Sequence, residues 1–537
     1  MKTTLDRFTI AAVALLACAF VLATNNAYAQ LTDVTQTTPS VPGGAIGKSL
    51  QQQIGAGQGD VNTPGSSVYL IKRDPARSIR RGRELFQRKF TADQGMGPRV
   101  SGNSSGNIQD NPALGAGLAD SCAACHGRPR GAAGFGGDVA TRPDSRDAPH
   151  LFGLGLQEML ADEITHDLRA IRADAIQLAA KKHTTVALPL ESKGIRYGSI
   201  RALANGTVDS SLVEGVDADL RVRPFFAHGG EFSMRAFAVG AFKAEMGLEG
   251  SDPVLCAASD PVNPVATKSA AGMVFDPRLD TIARPPVCDP NQDGDGDKVV
   301  NEIDPALLDH MEFYLLNYFK PAVGELPERA KHGPRLMDRI GCSDCHIRNL
   351  PIQKDRRVAD VETQFDPKKG IFNRLFATLT ALFTPVNDGQ AFPQLLPKEN
   401  SFLVRNIFTD FKRHDLGPAF HERQYDGTLR RMFVTEPLWG VGSTAPYGHD
   451  GRSINLKEVI LRHGGEAEES KARFASMEDE DQQAILDFLS ALIVFPPDDT
   501  ASNLNPGNPG TNNPQDPAQH GSINLGALFQ IPSEGPE

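Results

Sequence analysis

Two strings of the form CxxCH constrain this chain more than any other feature: Cys122-Ala123-Ala124-Cys125-His126 and Cys342-Ser343-Asp344-Cys345-His346. On one helical turn, positions i and i+3 point to the same side, so two thiols can reach the vinyl groups of one porphyrin. The His that follows then comes under the iron. This is the spacing of c-type haem attachment. A zinc ribbon would set its two half-sites roughly 15 to 20 residues apart. Here they stand in opposite halves of a 537-residue chain, and zinc does not explain the His after each second cysteine. Two covalently bound haem c groups are the expected cofactors, held by Cys122, Cys125 and His126 and by Cys342, Cys345 and His346.

The N-terminus fits the compartment in which such attachment occurs. Lys2 and Arg7 precede an apolar run from Ile10 to Leu22, and Ala27-Tyr28-Ala29 supplies small residues at cleavage-compatible positions. That is the layout of a secretory signal over 1–29, and the run is short for a membrane span of roughly 20 residues. The expected location is periplasmic. Leu15-Leu16-Ala17 before Cys18 offers a lipoprotein site as the lesser alternative. No later stretch is apolar enough to suggest a span. Cys256 and Cys288, outside both motifs, form an even pair that an oxidising compartment would favour as a disulfide. A net charge of −11 argues against a nucleic-acid partner, which would call for a basic face.

Fifty-one glycines and 38 prolines require much loop and linker. Residues 30–75 read as a flexible linker and 499–537 as a disordered tail. Between them, helical patterns cover Ile79 to Phe90, Leu156 to Lys181, Ser233 to Glu245, Pro305 to Phe319, Glu328 to Ile340, Leu456 to His463 and Glu478 to Val494. For the last, Ser476 with Asp479 suggests a cap. Strand signals are few and short, so the expected class is mainly α with long loops. The division reads as a first haem domain over 76–250, an insertion over 251–308 and a second haem domain over 309–498.

The sequence resembles the bacterial di-haem oxidoreductases, a branch related to di-haem cytochrome c peroxidases, from about Arg77 to Phe495. The N-terminal resemblance rests on Arg81-Gly82, Leu85-Phe86, Phe90 to Pro98, the first CxxCH and Pro149 to Leu156. The C-terminal resemblance rests on Thr435 to Gly440, Ala445 to Arg452 and His463 to Ala467. It implies two cytochrome c-like domains packed face to face, one haem receiving electrons and the other meeting the oxidant. It also implies a distal ligand for the second haem at His463, where a peroxidase proper would use Met. Bis-His ligation implies a lower potential and puts the usual high-potential donor in doubt. Met432 is the next candidate. His449 is expected to brace the haem environment between the domains by hydrogen bonding.

For the first haem, residues 127–149 contain no His, so its distal side is expected to be open, with His150, His166 and His228 as the candidates to close it. The Glu245-Met246-Gly247 string resembles the peroxidase segment that carries a distal acid, which makes Glu245 the candidate proton carrier. Glu158, Asp162 and Glu163 stand behind it.

Residues Asn291 to Glu302 fit a twelve-residue EF-hand-type loop, with oxygen donors at Asn291, Asp293, Asp295, Asp297 and Glu302 and Gly296 at the turn. Calcium is the expected ion, with a structural role. A helix is missing before the loop, where Pro285-Pro286 stands.

The leading expectation is reduction of hydrogen peroxide with electrons from a small cytochrome c or cupredoxin. The alternatives are a haem enzyme oxidising an organic or protein substrate, and an electron-transfer cytochrome whose two irons never meet an oxidant.

Overall fold

The computed structural model describes residues 49–96, 119–127, 138–139, 146–318, 320–367, 375–424 and 427–494. The expected signal sequence, Cys18, the Gly97-Pro98 end of its motif block and the 499–537 tail lie outside these residues.

The main helices start where capping chemistry allows. Asp74 caps Pro75–Gln87 and Asp304 caps Pro305–Asn317, each with Pro at the first turn, where its missing N–H costs nothing. Ser233 caps Met234–Met246 and Gly247 ends it at φ 70°. Pro75–Gln87 lies against Pro305–Asn317, and Gly82 makes the approach possible. A Cβ there would stand 2.1 Å from the His310 carbonyl oxygen. Helix Leu154–Lys182 crosses the same partner at Gly155, whose Cβ would come 2.4 Å from the Leu316 oxygen.

A charged cluster joins these helices beneath the surface. Buried Arg235 reaches Asp252 at 2.6 Å, Asp309 at 2.7 Å and Glu312 at 3.0 Å. Arg356 likewise pairs with Glu158 and Asp162.

The expectation of a mainly α fold is wrong. Of the described residues 36% are helix and 17% strand, with many small sheets, which is not a mainly α cytochrome c fold. Val186–Ser192 and Ile195–Ala202 form an antiparallel hairpin extended by Val208–Asp209 and laid against helix Leu154–Lys182. Ala359–Phe365 pairs with Leu375–Ala381, Leu350–Ile352 with Phe402–Val404, and Arg413–Asp415 with Met432–Val434. Most of these strands run two to four residues, too short for a period-2 pattern to register. Pro351 sits inside Leu350–Ile352 and Pro385 inside Phe383–Val386, which pairs with Gln394–Pro397; two-stranded pairs of this kind tolerate it.

Two further expectations change. Residues 49–73, read as tether, contain helices Leu50–Ile54 and Ser67–Arg73. Asp309 receives Ser67 Oγ at 2.5 Å and Gln58 Nε2 at 3.2 Å. Ser476 does not cap the last helix but ends helix Glu468–Ala475, while Asp479–Ser490 starts from Glu478.

The larger buried core gathers side chains from Ile71 to Val494, including Phe152, Tyr314, Leu350, Ile407 and Trp439. A smaller one holds Leu336, Met337, Ile340, Phe408, Phe474, Ile485 and Phe488 around the second CxxCH. Cys256 and Cys288 form a disulfide.

Candidate haem-binding site

The first motif occupies the short helix Cys122–His126, started by Ser121, whose hydroxyl accepts from the Ala124 amide. Burial pushes the Cys122 thiol up to about 12. Burial raises Cys125 as well, and the neighbouring Glu245 carboxylate adds to the rise. His126 donates from Nδ1 to the Pro149 carbonyl at 2.7 Å, and burial lowers its pKa. The ring is thus a neutral imidazole with Nε2 left to ligate, which is how a backbone partner fixes tautomer and aim in a metal-bound His.

The second motif repeats this chemistry in a different local form. Cys342–Asp344 is one 3-10 turn following Gly341, which is left-handed at φ 90°. His346 donates from Nδ1 to the Phe408 carbonyl at 3.0 Å. Burial pushes its pKa down to about 4, and His463 is close enough to lower it further. His463 itself donates from Nδ1 to Val459 O at 2.7 Å and presents its ring edgewise to Phe420, with centroids 5.3 Å apart. Two partly buried imidazoles, each with Nδ1 spent on a carbonyl, leave two Nε2 atoms as candidate axial donors. The donor set at both motifs fits a haem c: a thiol pair on one turn and an imidazole of fixed tautomer.

The blocks that carry the resemblance meet one another. His150 Nδ1 accepts from the Phe152 amide, so Nε2 carries the proton and donates to the Trp439 carbonyl at 2.9 Å. Both nitrogens being engaged, His150 braces the two blocks and is not presented as a ligand. Gly153, at φ 72°, lies under the Trp439 indole, and a Cβ there would approach it to 2.8 Å. His166 is exposed on its helix, and His228 stacks on Phe226. Met432 is exposed.

His449 stacks on Phe433 at 4.1 Å, with Nε2 3.7 Å from a Glu422 carboxylate oxygen. Its carbonyl accepts from the Asp147 amide. Asp450 binds Arg462, the residue before His463, so the Tyr447–Arg452 loop is pinned both to the strand before Pro149 and to the helix Leu456–Arg462.

Glu245 stands in the last turn of Met234–Met246, where its carbonyl accepts from the Ala119 amide at 3.1 Å. The chain entering the first CxxCH is thereby tied to it. The alternatives are committed elsewhere. Glu158 accepts from the Met234 amide and Arg356, Asp162 binds Arg356 and Arg221, and Glu163 binds Lys193 and the Gln353 amide.

Sequence reasoning missed His414. Its Nε2 lies 2.9 Å from Asp410 and its Nδ1 2.7 Å from Glu466, while Cys345 Sγ belongs to the same tight group. Burial opposes the charge, but the bonds to Asp410 and Cys345 lift the pKa to about 11. A doubly engaged imidazolium is a brace beside the second motif and has no lone pair for a metal. Glu466 belongs to the His463–Ala467 block, so that block's acid has a structural use. Gly465 allows the approach, since a Cβ would lie 2.1 Å from the Asp415 oxygen.

In the calcium-type loop, carboxylate oxygens of Asp293, Asp295 and Asp297 come within 4.8 Å of one another. Burial, with Asp295, Asp297 and Glu249 nearby, raises Glu302 to about 8. Asn291 turns its amide toward Asp289.

Residues 398–492 match a family model described as "Di-haem oxidoreductase, putative peroxidase". The matching family is that of the di-haem oxidoreductases. This supports the resemblance read from the sequence. The match takes in Asp410, His414, Trp439, His449 and His463; both CxxCH motifs precede it. No curated protein matches the chain.

Proposed function

We propose that this chain is a periplasmic di-haem c-type oxidoreductase that reduces hydrogen peroxide with electrons from a small redox protein, a cytochrome c or a cupredoxin. The observation that carries the reading is an asymmetry between two otherwise equivalent motifs. Both have a His whose Nδ1 is held by a backbone carbonyl. The His beside the second, His463, has its Nδ1 on a carbonyl and its Nε2 as a candidate donor, whereas the His beside the first, His150, has both nitrogens engaged, and the Glu245 carboxylate lies near Cys125.

Haem c at these positions would supply iron and a store for the two electrons that peroxide reduction consumes. The protein must then hold each group and manage protons. His126 and His346 present fixed Nε2 atoms. His463 would give the group at the second motif a further imidazole, which suits that site to electron relay. Glu245 takes the proton from one peroxide oxygen and returns it to the other, and with two electrons and two protons the products are two waters. His449 and His150 hold the two blocks in register between the sites.

The test is direct. The purified exported protein is assayed for peroxide-dependent oxidation of a reduced small cytochrome, alongside EPR of both irons. Turnover together with one six-coordinate and one open iron is the expected result. Two six-coordinate irons and no turnover would favour an electron-transfer cytochrome.

A further inference from the structure

We propose that the 293–302 loop closes on a calcium ion with Glu249 as a ligand, and that this ion locks the end of the Glu245-bearing helix to the insertion. The sequence places donors within the loop alone; the folded chain adds one from outside it. Glu249 is 8% exposed. Its Oε1 pairs with Lys243 at 3.0 Å, while its Oε2 is fully buried with no hydrogen-bond partner among the described residues. That orphaned oxygen is aimed at the loop, since a Cβ on Gly294 would lie 2.1 Å from it. Gly294 stands between Asp293 and Asp295, so Glu249 enters the acidic cluster where only glycine makes room.

Glu302 closes the other side. Its Oε2 accepts from the Glu249 amide at 2.6 Å, and its own amide donates to the Glu249 carbonyl. Asp293, Asp295, Asp297, Glu302 and Glu249 thus bring five carboxylates together, and the Lys243 paired with Glu249 is half exposed. Such a concentration of negative charge is costly unless a cation lies within it. The donors are all hard oxygens, and their number suits the six to eight that calcium takes, more than the strict octahedron of magnesium with its retained waters. Gly296 at φ 82° makes the turn that lets the three Asp side chains converge.

The arrangement has a mechanical meaning. Glu249 follows the Met234–Met246 helix by three residues, and the Cys256–Cys288 disulfide closes the insertion just before the loop. An ion held by Glu249 and Glu302 would anchor the insertion to the helix end from which Glu245 reaches the first CxxCH.

The experiment uses the full chain with its haems, stripped with a chelator and titrated calorimetrically with calcium chloride. One ion per chain is expected, with a rise in melting temperature and no comparable response to magnesium. Glu249→Gln, which keeps the shape and removes one charge, should weaken binding by about tenfold or more. Hydrogen exchange on the wild type guards against a variant that misfolds: amides of 293–302 and of 246–251 should gain protection together on adding calcium. No binding by the wild type overturns the site. Protection confined to the loop, or wild-type affinity in a folded Glu249→Gln, overturns the part assigned to Glu249.

Discussion

Asp450 grips Arg462 through both carboxylate oxygens, and Arg462 is the residue immediately before His463. The guanidinium also lies 4.2 Å over the Phe420 ring and donates to the Ala419 carbonyl. The Tyr447–Arg452 loop therefore fixes where the Leu456–Arg462 helix ends, and with it the His463 ring. The acid of this loop thus positions the residue that carries the His463 ring.

The first prediction tests the ligand itself. His463→Met should turn bis-His ligation of the second haem into His/Met, raise its potential, and add a weak far-red sulfur-to-iron band. Asp450→Asn should leave the ligand type unchanged but broaden the low-spin EPR signal as the ring loses its fixed aim. Spectra and potential unchanged in His463→Met would remove His463 from the iron.

Haem stoichiometry comes second. A pyridine haemochrome assay should give two haems per chain that acidified acetone does not extract. Replacing Cys342 and Cys345 with Ala should leave one, and replacing Cys122 and Cys125 should leave the other. Zinc in place of haem would end the di-haem reading.

Glu245→Gln tests the proton carrier. It preserves size and polarity but cannot take a proton, and loss of a positioned acid–base group costs about 10² to 10⁴ in rate. Peroxide turnover should fall by that order while both haems stay attached and the second still reduces normally. Equal turnover would sink the role.

The fourth prediction concerns pH. With Cys345 as a free thiol, His414 is lifted from the ordinary 6.5 to about 11 in the folded protein, and the bond to Asp410 keeps it raised when Cys345 is bound to haem. A raised folded pKa means that the folded state holds the proton more tightly. Its contribution to stability is complete below about pH 6.5 and is lost as pH rises toward 11. Wild-type melting temperature should therefore decline across the alkaline range more steeply than that of His414→Gln, which has no proton to lose. Parallel curves would show that the brace is not ionic.

What could be read in the sequence followed from local chemistry. Apolar periodicity places helices close to Pro75–Gln87, Met234–Met246 and Pro305–Asn317, whereas the one cap expected, at Ser476, is not a cap; the CxxCH spacing alone carries the haem reading. The hairpin Val186–Ala202 was not read from the sequence, although Lys193-Gly194, both at positive φ, makes its tight turn. Hidden from such a reading were the partners that arrive from far along the chain. The Pro149 and Phe408 carbonyls that orient His126 and His346, the Glu466 that clamps His414, and the Glu249 that meets Gly294 carry no spacing signal. Their roles exist only after folding. The many two- to four-residue strands escape for a different reason, since each is decided by its neighbour and not by its own residues.

Arg73 is fully buried, seated on the Phe392 carbonyl and Asp388, with its Nε donating to the Val61 carbonyl. The larger core beside it runs from Ile71 to Val494, so it cannot be completed until nearly the whole chain is present. Contacts this distant in sequence form late. Cutting the chain between the two motifs would divide that core, while the smaller one around Leu336 and Phe488 would stay whole on the C-terminal piece.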